Sequence, residues 1–268
     1  MRGDPFPGTG GEGSVPTGRH EPQPEGGGYA LSFGEVAEVY HRARPRYPRA
    51  ALRWALGRQP LDVVEVGAGT GILARELDAL GHRCTAVDPD ARMREAFSRR
   101  MPAVTVLDGT AEALPLSDGC VDAVVAAECY HWFDVPRAHA EIARVLRSRG
   151  RFVVMWQLRD DSTPWVRALT EVLRPYDRTG ATTVGPPEPD EHFGAFSRRS
   201  FPFTVEHNRE SLLDLYRSHS FHIRSDAQGR ARLEEDIARL VDTHPDLRGR
   251  SRFRLPYVTR VHCARRVS

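Results

Sequence analysis

The sequence predicts an α/β fold, a largely parallel sheet with helices on both faces. Three observations predict it. From residue 61 onward short apolar runs of strand length alternate with segments of helical periodicity. A glycine-rich turn stands between the first strand and the helix after it. An acid, Asp88, closes the next strand. At 268 residues and 40% hydrophobic composition the chain is long enough to bury a large core.

Residues 1–28 are half Gly and Pro, with almost no large apolar side chains. Such a segment cannot bury enough surface to offset its chain entropy and reads as a disordered tail. Leu31, Phe33, Val36, Ala37 and Tyr40 recur at helical spacing. Pro45 and Pro48 stop a helix across Tyr40–Pro48, and Pro48 then opens a helix carrying Ala51, Leu52, Trp54, Ala55 and Leu56. Leu61–Val66 is the first strand. After the glycine turn comes a helix with Ile72, Leu73, Leu77 and Leu80 on one side and Gly81 at its C-cap. Cys84–Val87 is the second strand, Ala91–Arg100 a helix, Val104–Leu107 the third strand and Val121–Ala127 the fourth. A helix over Arg137–Leu146 precedes a fifth strand at Arg151–Trp156. Beyond it the pattern loosens: a helix over Trp165–Leu173, loop over 177–200, a strand over Phe201–Glu206, a helix capped by Asn208, a helix over 230–242 and a final strand over Leu255–Cys263. The predicted organisation is therefore a tail (1–28) and one domain (29–268). That domain divides into N-terminal cap helices (29–60), a ligand-binding core (61–158) and a lid with the C-terminal strands (159–268).

All 38 basic residues are Arg, against 36 acidic residues and a net charge of +2. Without Lys, a Walker A loop, a pyridoxal-phosphate Schiff base and a protein-kinase strand lysine are all excluded in their usual form. The balanced charge gives no general attraction to nucleic acid or anionic membrane. No apolar run reaches the roughly 18 residues of a membrane span, and no stretch near the N-terminus suits a signal peptide, so a cytoplasmic location is expected. Cys84, Cys120, Cys129 and Cys263 are widely spaced, which favours reduced thiols over a disulfide framework or a zinc ribbon.

The chemistry concentrates in Glu65-Val66-Gly67-Ala68-Gly69-Thr70-Gly71. Glycines there permit a tight turn and let a ligand approach the backbone, and the helix that follows points free N–H groups at it. A carboxylate at Asp88 can accept hydrogen bonds from both ribose hydroxyls of a nucleoside. The loop fits an S-adenosylmethionine site; Gly69 to Ala74 also fits a dinucleotide fingerprint, and the loop alone does not separate the two.

Four further segments break the tie. Val87-Asp88-Pro89-Asp90 with Met93, Asp108 to Pro115, Val125 to Asp134 with its His131-Trp132 pair, and the Tyr40…Arg44-Pro45…Tyr47-Pro48 run appear in a fixed order. Together with the glycine loop they resemble the class I S-adenosylmethionine-dependent methyltransferases, nearest the small-molecule branch that includes trans-aconitate-type and ubiquinone-biosynthesis-type enzymes. The resemblance covers residues 35–160 well and the remainder weakly. It implies a Rossmann-like, doubly wound, seven-stranded sheet, mostly parallel with an antiparallel last strand. It also implies S-adenosylmethionine as cofactor. Glu65, Gly67, Ala68 and Gly69 would meet the methionine portion, Asp88 and Pro89 the ribose, and Met93, Thr110 and Ala111 the adenine, with Glu128 also beside the cofactor. Many relatives carry Asp where this chain has Thr110, so the adenine amino group would be held by Thr110, Asp108 or water.

The expected reaction is in-line methyl transfer to oxygen, nitrogen or carbon of a small-molecule acceptor. His131 is the candidate base or acceptor-orienting group. Tyr40, Arg44, Tyr130 and Trp132 are candidates to close over cofactor or acceptor, and Asp160 to about Ser200 with the N-terminal helices is expected to cover the acceptor. Two other readings stand: a cofactor-binding protein of the same fold that does not methylate, and a nicotinamide-dependent oxidoreductase. The fourth strand lacks the Asn/Asp-Pro-Pro-aromatic motif of nucleic-acid amino methylation. His219-Ser-Phe-His222 has metal-compatible spacing but no evident third ligand, so no metal is expected; it reads as a solvated helix end or acceptor lining. Arg248 to Arg254 reads as a solvated loop.

Overall fold

In a computed structural model the described residues are 41–176 and 186–267. The expected tail, the helix through Leu31–Tyr40, Tyr40 itself and residues 177–185 of the expected loop lie outside them.

The elements run α1 (Arg49–Leu56), β1 (Asp62–Val66), α2 (Ile72–Asp78), β2 (Arg83–Val87), α3 (Ala91–Arg100), β3 (Thr105–Leu107), β4 (Val121–Ala127), a 3-10 turn (Tyr130–Trp132), α4 (Val135–Val145), β5 (Leu146–Arg159), α5 (Pro164–Leu173), β6 (Ser197–His207), α6 (Arg209–Arg217), α7 (Ser220–Arg224), α8 (Ala227–Thr243) and β7 (Phe253–Arg265). Seven strands form one sheet in the order β3-β2-β1-β4-β5-β7-β6. The pairs from β3 through β5 are parallel, and β7 is antiparallel to both β5 and β6. The chain reverses its winding at β1, which lies between β2 and β4. A crevice at the carboxyl ends of β1 and β4 follows from that reversal.

Local chemistry sets the ends of the elements. Asp90 caps α3 by accepting from the amides of Arg92 and Met93, and Asp134 caps α4 with Pro136 in its first turn. Gly81, at φ +84°, closes α2 through its N–H to Asp78 O. Asn208 and Ser211 form a reciprocal capping box on α6.

The period of two in β1 and β4 divides their apolar side chains between the faces. Val64, Val66, Val124 and Ala126 pack with Ile142 of α4, while Val63, Ala123 and Val125 pack with α1 and α2. A third core joins α5, α6 and α8 to the far ends of β6 and β7 through Leu169, Leu212, Ile237 and Leu255. β5, expected to stop at Trp156, continues to Arg159 because β7 goes on pairing with it, Arg159 opposite Tyr257. β6 likewise begins at Ser197, earlier than expected.

Candidate active site

The loop after β1 needs its glycines. Gly67, Gly69 and Gly71 lie at φ +66°, +54° and +86°. The amides of Gly67 and Ala68 both donate to Val87 O, at 2.8 and 3.2 Å, which folds the loop onto the end of β2. A Cβ on Gly67 would sit 2.8 Å from Cys129 Cβ, whereas a Cβ on Gly69 would meet nothing within 4 Å. The first glycine is therefore demanded by packing, and the second faces open space.

Asp88 ties this loop to β2. Its Oδ2 accepts from Gly69 N at 2.8 Å and its Oδ1 from Asp90 N at 2.9 Å. Burial raises its pKa even against these hydrogen bonds. Glu65 is 2% exposed, and its Oε2 has no hydrogen-bond partner among the described residues. Burial, with the Asp88 charge adding to it, pushes this carboxyl well above the usual range, and the Ala74 amide opposes them. A buried, incompletely satisfied acid beside an open glycine loop fits a ligand that brings a positive charge. S-adenosylmethionine carries an ammonium and a sulfonium, together with a ribose able to donate hydrogen bonds to Asp88.

The adenine-side candidates gather at the ends of β2 and β3. Met93 is 9% exposed one turn into α3. Thr110 pairs with Ala113 in a short bridge that holds Ala111 buried, and Pro89 follows Asp88 at the end of β2. Arg94 binds both Asp88 O and Asp108, which clamps this loop to β2.

After β4, Glu128 takes φ 61°, a strained conformation for a non-glycine residue. Its carboxylate accepts from the Gln157 amide. Burial raises its pKa to about 6, partly countered by that bond and by Arg44. Cys129 donates its thiol to Val66 O at 3.1 Å, and burial pushes that thiol up. All four cysteines are free thiols.

A crevice opens over this loop. Its floor is the loop from Glu65 to Thr70 with Ala127 and Glu128. Arg44, Pro45 and Tyr47 form one side, and Gln157 and Arg159 of β5 with Tyr257 of β7 form the far wall. Leu215 and Tyr216 of α6, with His219, cover it. Residues 177–185 of the segment expected to cover the crevice, and the expected N-terminal helix through Tyr40, lie outside the described residues. Arg44 is held to this cover by Ser218, donating to its Oγ at 3.2 Å and to its carbonyl at 3.4 Å.

Three expected site residues sit elsewhere. Tyr130 is a core residue, 5% exposed, with its hydroxyl at 3.0 Å from His139 Nε2; packing against Phe133, Phe152 and Trp156 removes it from the crevice. His131 packs its ring 4.9 Å from that of Trp132, which is 59% exposed, and neither lines the crevice. His222 pairs with Glu234, and no cluster among the described residues could hold a metal. Sequence reasoning did not reach Gln157, Arg159, Tyr216 and Tyr257. The available signal was the i, i+2 continuation of Met155 into Gln157 and Arg159, which keeps them on one face.

Comparison with known proteins agrees with this geometry. Residues 64–154 match the family model described as a methyltransferase domain. A methyltransferase of Mycobacterium tuberculosis is 39% identical over 230 residues, covering 86% of this chain and 93% of its own. A methyltransferase-like protein of Schizosaccharomyces pombe is 30% identical over 234 residues, covering 84% and 91%. A provisionally named type II methyltransferase structure from Anaeromyxobacter dehalogenans is 26% identical with a TM-score of 0.62, covering 83% of this chain and 97% of that one. With the glycine loop, the Asp88 tie and the buried Glu65 in place, the chain belongs to the class I methyltransferases, and its cofactor is S-adenosylmethionine.

Proposed function

We propose that the protein methylates a small-molecule acceptor bound between the cofactor loop and the wall formed by β5, β7 and α6. The observation that carries this is the enclosure of the crevice. Tyr216 and Tyr257, both buried, stand over the space beyond the glycine loop, which favours a small acceptor over a duplex or a folded protein.

S-adenosylmethionine supplies an already activated methyl group on sulfur, so the protein's own contribution is placement and exclusion of water. In this reading Asp88 takes the ribose hydroxyls and Glu65 the ammonium. Gly67, Ala68 and Gly69 let the methionine portion reach the backbone, and Pro89, Met93, Thr110 and Ala111 border the adenine. Arg44 and Tyr47 close the near side. Glu65, Glu128 and His219 line the crevice; with Glu65 on the cofactor, a proton taken from an acceptor would pass to Glu128 or His219 and not to His131.

The test has two stages. Calorimetry should show S-adenosylhomocysteine binding that Asp88→Ala weakens at least about tenfold, since a charge-assisted pair is lost. Purified enzyme with methyl-labelled donor is then incubated with a metabolite extract, total RNA and total protein. Label in the low-mass fraction supports the reading. Label in RNA or protein overturns it, and cofactor binding with no label anywhere points to a non-methylating enzyme of the same fold.

A further inference from the structure

The far wall of the crevice carries a charge that no carboxylate pairs with among the described residues. Arg159 ends β5, and its Nε is sequestered from solvent with no hydrogen-bond acceptor among the described residues. No described carboxylate comes within 4.0 Å of its guanidinium; Asp161 acts on it from further away and is itself engaged by Thr170 Oγ1 at 2.9 Å. The Tyr216 ring lies 5.9 Å from the guanidinium carbon, a weak cation–π contact. The Tyr216 hydroxyl, equally buried, lies close enough to act on the guanidinium but makes no well-formed hydrogen bond, and the Tyr257 hydroxyl makes none among the described residues either. Glu65 and Glu128 also line the cavity. Glu65 belongs to the cofactor loop and Glu128 is bound to the Gln157 amide, so neither serves as a counter-ion here. A guanidinium keeps its charge at every physiological pH, and burying it without an anion is costly.

We propose that Arg159, flanked by the hydroxyls of Tyr216 and Tyr257, is an oxyanion subsite that anchors a carboxylate or phosphate group of the methyl acceptor. This rests on the crevice being the methyl-transfer site, and it adds the chemical class of what is methylated: an anionic small molecule. Three donors converging from β5, α6 and β7 suit an oxygen-rich anion, and a planar guanidinium suits either carboxylate or phosphate. The α-carboxylate of the cofactor is the other anion that could reach this wall, and the experiment separates the two.

Protein saturated with S-adenosylhomocysteine is titrated with citrate and, separately, with inorganic phosphate at low ionic strength. At least one should bind saturably, and which one binds identifies the anion class. Arg159→Met should weaken that binding about tenfold or more, and Tyr257→Phe, which keeps the ring stacked on Phe203, about threefold. S-adenosylhomocysteine affinity should stay within about twofold in both variants. The ligand-free Arg159→Met protein should melt at or above the wild-type temperature, because a half-buried charge with no carboxylate partner has been replaced by a side chain of similar volume. Three results would overturn the proposal: neither anion binds the wild-type complex, both variants bind the anion as wild type does, or Arg159→Met melts several degrees lower. A tenfold loss of S-adenosylhomocysteine affinity in Arg159→Met would assign the arginine to the cofactor. Failure of wild-type protein to bind S-adenosylhomocysteine would instead sink the methyl-transfer reading itself.

Discussion

Two residues at the floor of the crevice show how steric and electrostatic constraints divide the work. Gly67 combines a left-handed φ with a Cβ position already occupied by Cys129. Gly67→Ala should therefore cost about 1–3 kcal/mol, visible as a lowered urea midpoint, and should weaken cofactor binding, because the loop must shift away from Val87 O. Glu128 makes a pH prediction. Its folded pKa of about 6 lies above the unfolded carboxyl value of 4.5, so the folded state holds this proton more readily. Its contribution to stability is then fully present below pH 4.5 and is lost as pH rises through about 6. The loss is at most about 2 kcal/mol. Glu128→Gln keeps an acceptor for the Gln157 amide and removes the titration. Melting curves from pH 4 to 7 should show the variant gaining on wild type as pH rises, and parallel curves would refute the assignment. The glycine loop and Asp88 were legible from residue types alone, because only glycine tolerates that backbone and only a short acid reaches it from the end of β2. The roles of Cys129 and Glu128 were not, since both arise from how closely β4 approaches β1.

At the scale of elements, α6 links the fold to the pocket. Its capping box is a local device, and Asn208 was readable as a cap. The same helix carries Leu215 and Tyr216 into the crevice and holds Asp214 in an ion pair with Arg42, 2.6 Å apart. Asn208→Ala should lower stability by about 1 kcal/mol. Because the first turn of α6 would fray while the cofactor loop is untouched, we expect KM for the acceptor to rise, with S-adenosylhomocysteine affinity unchanged by calorimetry. β5 shows the opposite balance. Its apolar run ends at Trp156, but the three added residues place Gln157 and Arg159 on the wall, and only pairing with a strand a hundred residues later makes them strand.

For the whole molecule, the sheet serves two cores of different purpose. The cores on either face of β1 and β4 hold the cofactor loop, whereas the core of α5, α6 and α8 roofs the crevice. Leu169→Ala, a fully buried deletion in the roof, should cost about 2–5 kcal/mol and impair turnover more than cofactor binding; equal loss of both would show that the two cores act as one. Among the described residues no helix is long and apolar enough to cross a membrane.

The sequence by itself determined the strand–helix alternation, the glycine turn and the acid opposite it, and, together with the downstream motifs, the cofactor. Each depends on residues close along the chain, where backbone sterics and apolar periodicity leave few choices. Tertiary structure alone decided what lines the far side of the crevice. Arg159, Tyr216 and Tyr257 come from three segments spread over about a hundred residues, and side chains brought together by long-range packing leave no local pattern to read. The same packing drew Tyr130 inward, since an aromatic ring next to a forming core gains more from burial than from lining a wet cavity.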